Sequence, residues 1–486
     1  MIKTPVVILA LSLALSRPAA AALELAEIFS DGMVLQRQAR TPVWGTARPG
    51  EKVRVSFRGQ EASAVADEQG RWMIRLPPME AGGPFEMLVR ADNSIVLKDV
   101  LVGEVWVGSG QSNMAWRVGE SKDPEKEARE AVYPRIRVSH KPCATVDLVH
   151  CRFPKARWVA ISPETARELP ATAYFFARQL HRELGVPVGM IVRAVGGTPA
   201  AFWIGSRARR IAEIEEVAAQ WKPVPRRFEG PWGRYFDGLL EPVIPYAIRG
   251  VIWDQGESGT GIPAVKSDPM RRLLIRSWRE LWGQGNSPFL FVQYPKGGGW
   301  RRDGPLPPVP EQYPAGEWGL ASLEHAAQSV SLPDSWMAIT MDLEGGVHPL
   351  DKQAYARRLA AIALGRYYGK PIEYYGPLYK GMKREGNVLR LSFDHVGTGL
   401  VALGRDAVQG FAIAGEDGVF HWAEARIEGD SVLLRSGNVA RPVAARYGWA
   451  HHPKWCNLFN REGYPALPFR TDAEFSPASV LDAKQH

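Results

Sequence analysis

Cysteine is scarce in this chain: Cys143, Cys151 and Cys456 are the only three in 486 residues. So few exclude a disulfide-stapled scaffold, and no pair has zinc-finger spacing. In an oxidising compartment Cys143 and Cys151 could close one small loop. Long hydrophobic runs are also missing beyond the N-terminus, where no segment reaches the roughly 18 apolar residues of a membrane-crossing helix. Long basic runs are absent as well. The net charge of +8 is spread along the chain, which argues against nucleic-acid binding and suits acidic glycans. There is no internal repeat and no low-complexity segment after the first residues.

What is present begins with an export signal. Met1-Ile2-Lys3 gives a positive start, Val6 to Leu15 is apolar apart from one Ser, and Ala19-Ala20-Ala21-Ala22 offers small residues for cleavage. A secreted or periplasmic protein with no membrane segment after processing is expected. The chain also carries 17 Trp, a residue that fills cores and also stacks on sugars.

The organisation changes three times. From about Leu23 to Asp99 the period is two: Val53, Val55 and Phe57 alternate with charged and polar neighbours, and Trp72, Ile74 and Leu76 repeat the pattern. A β-sandwich over 23–99 is predicted, following a leader at 1–22. From Val100 the grammar becomes strand, loop, helix. Apolar strands at 102–107, 188–192, 250–253, 289–292 and 336–341 alternate with helices ending at Leu184, at Trp282 and near Tyr367. This predicts an α/β region with a parallel sheet over 100–373, whose site lies at the carboxyl ends of the strands. The Gly- and Pro-rich stretch from Lys296 to Gly319 reads as a lid or binding loop. Period two returns from Tyr374, giving a second β-rich region over 374–486.

The chemically suggestive residues all fall at predicted strand ends. Gly108-Ser109-Gly110-Gln111-Ser112-Asn113-Met114 puts a hydroxyl on a tight strand-to-helix turn with backbone amides close by, as a serine nucleophile requires. It is not a G-x-S-x-G elbow, because Met114 stands at the second glycine. Of ten His, only His348 follows a late strand of the α/β region and precedes its helix, the place of a general base. Gly196-Gly197-Thr198 and Gln255-Gly256-Glu257 end two further strands. A Gly196 or Gly197 amide and the Gln255 side chain could join the Ser112 amide in an oxyanion hole. No metal-ligand spacing occurs.

Taken in order, Gly110-Gln111-Ser112-Asn113-Met114, Gly196-Gly197-Thr198-Pro199, Trp253-x-Gln255-Gly256-Glu257-Ser258 and His348-Pro349 resemble the blocks of the sialate O-acetylesterases, a branch of the SGNH hydrolases. The likeness extends over nearly the whole mature chain. It includes Phe29 to Gln36, Pro42-Val43-Trp44-Gly45, Gly410 to Gly415 and Pro468 to Asp472. It implies a flavodoxin-like core with β-rich accessory regions and cofactor-free hydrolysis of acetyl esters on sialic acids or other glycans. Ser112 takes the nucleophile's place and His348 the base's. Gln111, Asn113, Asp254 and Glu257 are expected to contact the O-acetylated carbohydrate.

Two departures stand out. The triad Asp usually found three residues before the His is Gly345 here, which leaves Glu344, Asp342 or a backbone carbonyl to orient His348. Asp254 stands where the family usually has Tyr. Two other readings stay open: an esterase of acetylated plant polysaccharide such as xylan, and a carbohydrate-binding protein with an inactive hydrolase core.

Overall fold

The computed structural model describes residues 22–141, 156–225, 229–293, 309–310, 332–340, 342–343, 347–449 and 455–472. The leader, Cys143, Cys151 and all of Lys296 to Gly319 except residues 309 and 310 lie outside these residues, as does Glu344.

The N-terminal region forms two small sheets. Glu24–Leu25, Thr41–Thr46 and Arg71–Leu76 make one, and Lys52–Phe57, Gln60–Val65 and Gly82–Arg90 belong to the other. The alternation is physical: Val53, Val55, Phe57, Trp72, Ile74 and Leu76 all point inward and are buried. Burying each large side chain contributes about 1.5–3 kcal/mol, whereas the intervening charges remain in water.

The second sheet does not stop at residue 99. Strand β1 (Ser94–Gly110) first pairs with Gly82–Arg90 and then runs on into the α/β region. The backbone turns at Asp99, which takes a left-handed φ of +55°. One continuous hydrophobic core therefore serves both the N-terminal region and the α/β region.

Within the α/β region, β1 is central. With β2 (Tyr133–His140), β3 (Trp158–Ile161), β4 (Val188–Ala194), β5 (Gly250–Asp254), β6 (Phe289–Val292) and β7 (Ser335–Ala338), the order is β3-β2-β4-β1-β5-β6-β7. All pairings are parallel except β3 with β2. The strands β4 to β7 are wholly buried, as expected of a parallel sheet covered on both faces. Helices α1 (Ser112–Ala115), α2 (Ala171–Leu184), α3 (Ser267–Trp282) and α4 (Lys352–Ile362) follow strands in the expected alternation. Gly185 and Gly283, both left-handed, end α2 and α3. The antiparallel partners β2 and β3 lie outside the predicted strands.

The C-terminal region is β-rich as expected, with two four-stranded sheets and one two-stranded sheet among the described residues. It has its own core around Leu389, Leu391, Phe411, Ile413, Tyr447 and Phe459. No described helix is long and apolar enough to cross a membrane.

Candidate active site

The chain reverses its direction of sheet growth at β1, with β4 on one side and β5 on the other. Such switch points leave a crevice at the carboxyl ends of the strands. Ser112 sits there. The turn that presents it depends on Gly110, whose φ is +132° and where a Cβ would lie 2.0 Å from the Asp254 carbonyl oxygen. The Gln111 amide donates to that same carbonyl at 2.9 Å. The amides of Met114 and Ala115 then donate to the Gln111 carbonyl and close the single turn α1. Ser112 is half-buried at the start of it.

His348 arrives from β7. Asp351 caps α4 by accepting from the Ala354 amide at 2.9 Å. The loop is tied down on its other side, where the Lys122 amide donates to the Leu350 carbonyl at 2.9 Å and Gln353 Nε2 to the Lys122 carbonyl at 2.7 Å. The His348 Nε2 atom lies 2.8 Å from Ser112 Oγ, across 236 residues of sequence. The imidazole stacks on Trp116, with ring centroids 4.6 Å apart and planes 21° from parallel. Burial and the nearby Lys352 ammonium hold the imidazole below its usual pKa, partly opposed by the Glu120 carboxylate. A neutral ring that accepts a proton from a hydroxyl is the form a general base needs.

Gly196 borders the same hydroxyl: a Cβ built on it would stand 3.5 Å from the Ser112 Cβ. Gly197 follows in a left-handed turn at φ +70°. The Ser112 and Gly196 amides have no backbone carbonyl partner among the described residues. Gln255 is engaged differently from expectation. Its side-chain amide donates to the Gly259 carbonyl at 2.9 Å and the Thr198 carbonyl at 3.3 Å, linking the loop after β5 to the turn after β4.

The four residues expected to contact substrate also serve the interior. Gln111 is buried, and its Oε1 accepts from the Gly256 and Ser258 amides. Asn113 and Asp254 are buried, and Asn113 Nδ2 donates to Glu257 Oε1 at 2.7 Å. The side chains of Gln111, Asn113 and Glu257 link the Ser112 turn to the loop after β5. As for an acid behind the base, Asp342 is buried in a two-pronged ion pair with Arg358, each contact 2.6 Å. No acidic side chain among the described residues is hydrogen-bonded to His348. Trp116 and Lys352 were not read as site residues from sequence, although Lys352 stands at i+4 from His348 and Trp116 at i+4 from Ser112, both helical spacings.

This chain is a carboxylic ester hydrolase, as its relatives are. Residues 102–302 match the family described as "Carbohydrate esterase, sialic acid-specific acetylesterase". The chain is 34% identical to a carbohydrate acetylesterase from Xanthomonas citri, with a TM-score of 0.79 over 93% of this chain and 99% of that one. The sialate O-acetylesterase of Homo sapiens is 28% identical over 408 residues, 76% of each chain. That of Rattus norvegicus is 26% identical over 527 residues, 93% of this chain and 95% of its own. The chain belongs to the sialic acid-specific acetylesterase family of carbohydrate esterases, the family that the four sequence blocks resemble.

Proposed function

We propose that the protein removes O-linked acetyl groups from a carbohydrate through an acetyl-enzyme on Ser112. The observation that carries this reading is the 2.8 Å contact between His348 Nε2 and Ser112 Oγ. In the first step Ser112 Oγ attacks the acetyl carbonyl while His348 takes its proton. The tetrahedral oxyanion is received by the Ser112 amide and by that of Gly196 or Gly197. Collapse expels the sugar oxygen, which regains a proton from His348. Water, deprotonated by His348, then attacks the acetyl group, and acetate leaves with Ser112 restored.

Several features support this division of labour. Without the β2–β3 hairpin, the chain order of the remaining parallel strands becomes 2-1-3-4-5, the flavodoxin-like order of an SGNH-type core. No triad acid is needed to hold the ring, because Trp116 stacks on it and the loop is anchored at Leu350 and Gln353; the base and nucleophile form a dyad. The leader at 1–22 fits an exported enzyme, the β regions at 23–99 and 374–486 flank a catalytic region at 100–373, and the glycan is its partner. The test is acetate release from O-acetylated sialic acid and from acetylxylan by the purified enzyme. Release from the first but not the second assigns sialate substrates, and the reverse assigns plant polysaccharide. Release from neither, nor from a generic aryl acetate, contradicts the proposal and leaves the inactive binding protein.

A further inference from the structure

Beneath the nucleophile lies a polar cluster that the two chemical steps do not use. Lys352, the first residue of α4, is completely buried. Its ammonium donates to Asn113 Oδ1. Asn113 directly follows Ser112 and is also completely buried. Its Nδ2 donates to Glu257 Oε1 at 2.7 Å and to the Val347 carbonyl at 3.0 Å. One side-chain amide thus joins three strand ends: the Ser112 turn after β1, the Glu257 loop after β5, and the residue before His348 after β7. Asp254 Oδ2 and Glu257 Oε2 complete the cluster as buried oxygens without a hydrogen-bond partner.

We infer that Lys352, acting through Asn113, is a positioning residue for the reaction that ties the Ser112 turn to the loop carrying His348. This rests on the reading of Ser112 and His348 as nucleophile and base. Packing alone does not call for an ammonium here. Taking one out of water costs several kcal/mol, and an apolar residue of the same length would fill the space without that cost. What an ammonium adds is a donor that fixes which way the Asn113 amide faces. With its oxygen turned to Lys352, its nitrogen must face Glu257 and Val347. Reversed, the amide would aim a nitrogen at the ammonium and an oxygen at the Val347 carbonyl.

The charges of the cluster bear on the base as well. The groups facing Lys352 are Asp254 and Glu257 from the β5 end, together with the Trp116 and Tyr355 rings. Those facing His348 are Lys352, Glu120 and the Ser112 hydroxyl. Burial raises both carboxyls, and Asp254 raises Glu257 further. Glu257 therefore retains its proton most readily, which leaves Asp254 and Lys352 as a balanced pair. Removing the Lys352 charge relieves its repulsion of the imidazolium and raises the pKa of the base.

The experiment compares wild type, Lys352→Met, Lys352→Gln and Ser112→Ala on an aryl acetate across pH, with a thermal midpoint for each. Loosening the reacting pair by a fraction of an ångström to one ångström costs on the order of 10²-fold in rate, so kcat of Lys352→Met is expected to fall by about that factor. KM should stay nearly constant, and the acid limb of kcat/KM should move to higher pH. Lys352→Gln, which keeps a donor for Asn113, should recover part of kcat while the acid limb remains displaced. Should Lys352→Met fail to fold, Lys352→Gln carries the same test through its pH profile. Wild-type kcat and an unmoved acid limb in either folded variant, with Ser112→Ala inactive, would overturn the role of Lys352 alone. Activity surviving in Ser112→Ala would overturn the underlying reading and this one with it.

Discussion

At the scale of single residues, the contact between Ser112 and His348, the proposed nucleophile and base, was legible because their chemistry constrains their place. A serine two residues after a glycine at the end of an apolar strand, and a histidine between a late strand and its helix, occupy positions that the topology brings together. Side-chain direction was not legible. Gln255 stands where an oxyanion donor is expected, yet its amide spans the Thr198 and Gly259 carbonyls. Its loss should act through the fold: two carbonyls lose a donor, at roughly 1–3 kcal/mol for each left unsatisfied. Gln255→Ala should therefore lower the thermal midpoint measurably while reducing kcat less than the 10²–10³-fold typical of a lost oxyanion donor. A normal midpoint with a kcat loss of that larger size would restore Gln255 to the oxyanion hole. Trp116 makes the opposite case, a site residue that reads in the sequence as one more aromatic. Aromatic stacking is worth about 0.5–1.5 kcal/mol, so Trp116→Ala should cost kcat roughly two- to tenfold, and Trp116→Phe much less. Equal kinetics for wild type, Phe and Ala would mean that the ring does not hold His348.

Elements were easiest to read where their period was uninterrupted. The strand at 289–292 matches the pattern residue for residue, and the helix predicted to end at Trp282 ends there. The strand at 133–140, where Ile136 and Val138 alternate with Arg135, Arg137 and Ser139, was not among the predicted strands. The exit from β7 was beyond sequence reasoning. Asp342 was a candidate partner for His348, but the residue that claims it, Arg358, lies 16 positions away on α4, and no local pattern announces such a pair. Breaking a buried ion pair by removing one charge costs about 3–5 kcal/mol. Asp342→Asn should accordingly destabilise the protein by an amount of that order in denaturant titration, while the pH dependence of kcat/KM keeps its wild-type shape. A stable Asp342→Asn with kcat reduced on the order of 10²-fold would instead make Asp342 the missing acid.

At the scale of the whole molecule, a single core runs from the N-terminal sheets through the α/β region, and β1 belongs to both. That strand delivers Ser112 at its carboxyl end, so the N-terminal region is bound into the platform that holds the proposed nucleophile. The sequence pattern marked the change of period near residue 99 but not the continuity of the strand through it, since a bent strand and two separate strands have the same local alternation. The C-terminal region, with its separate core, was legible as β-rich from its period alone. The family relationship gives the class of reaction, and the proposed chemical steps rest on the geometry at the strand ends. The most direct test of those steps is to quench the enzyme with acid during turnover of an acetyl ester and locate the acetyl group by peptide mass spectrometry. The account predicts an acetyl group on the peptide containing Ser112, accumulating when deacetylation is slowed and absent from Ser112→Ala. Turnover by folded Ser112→Ala, or an acetyl group carried on a different residue, would contradict it.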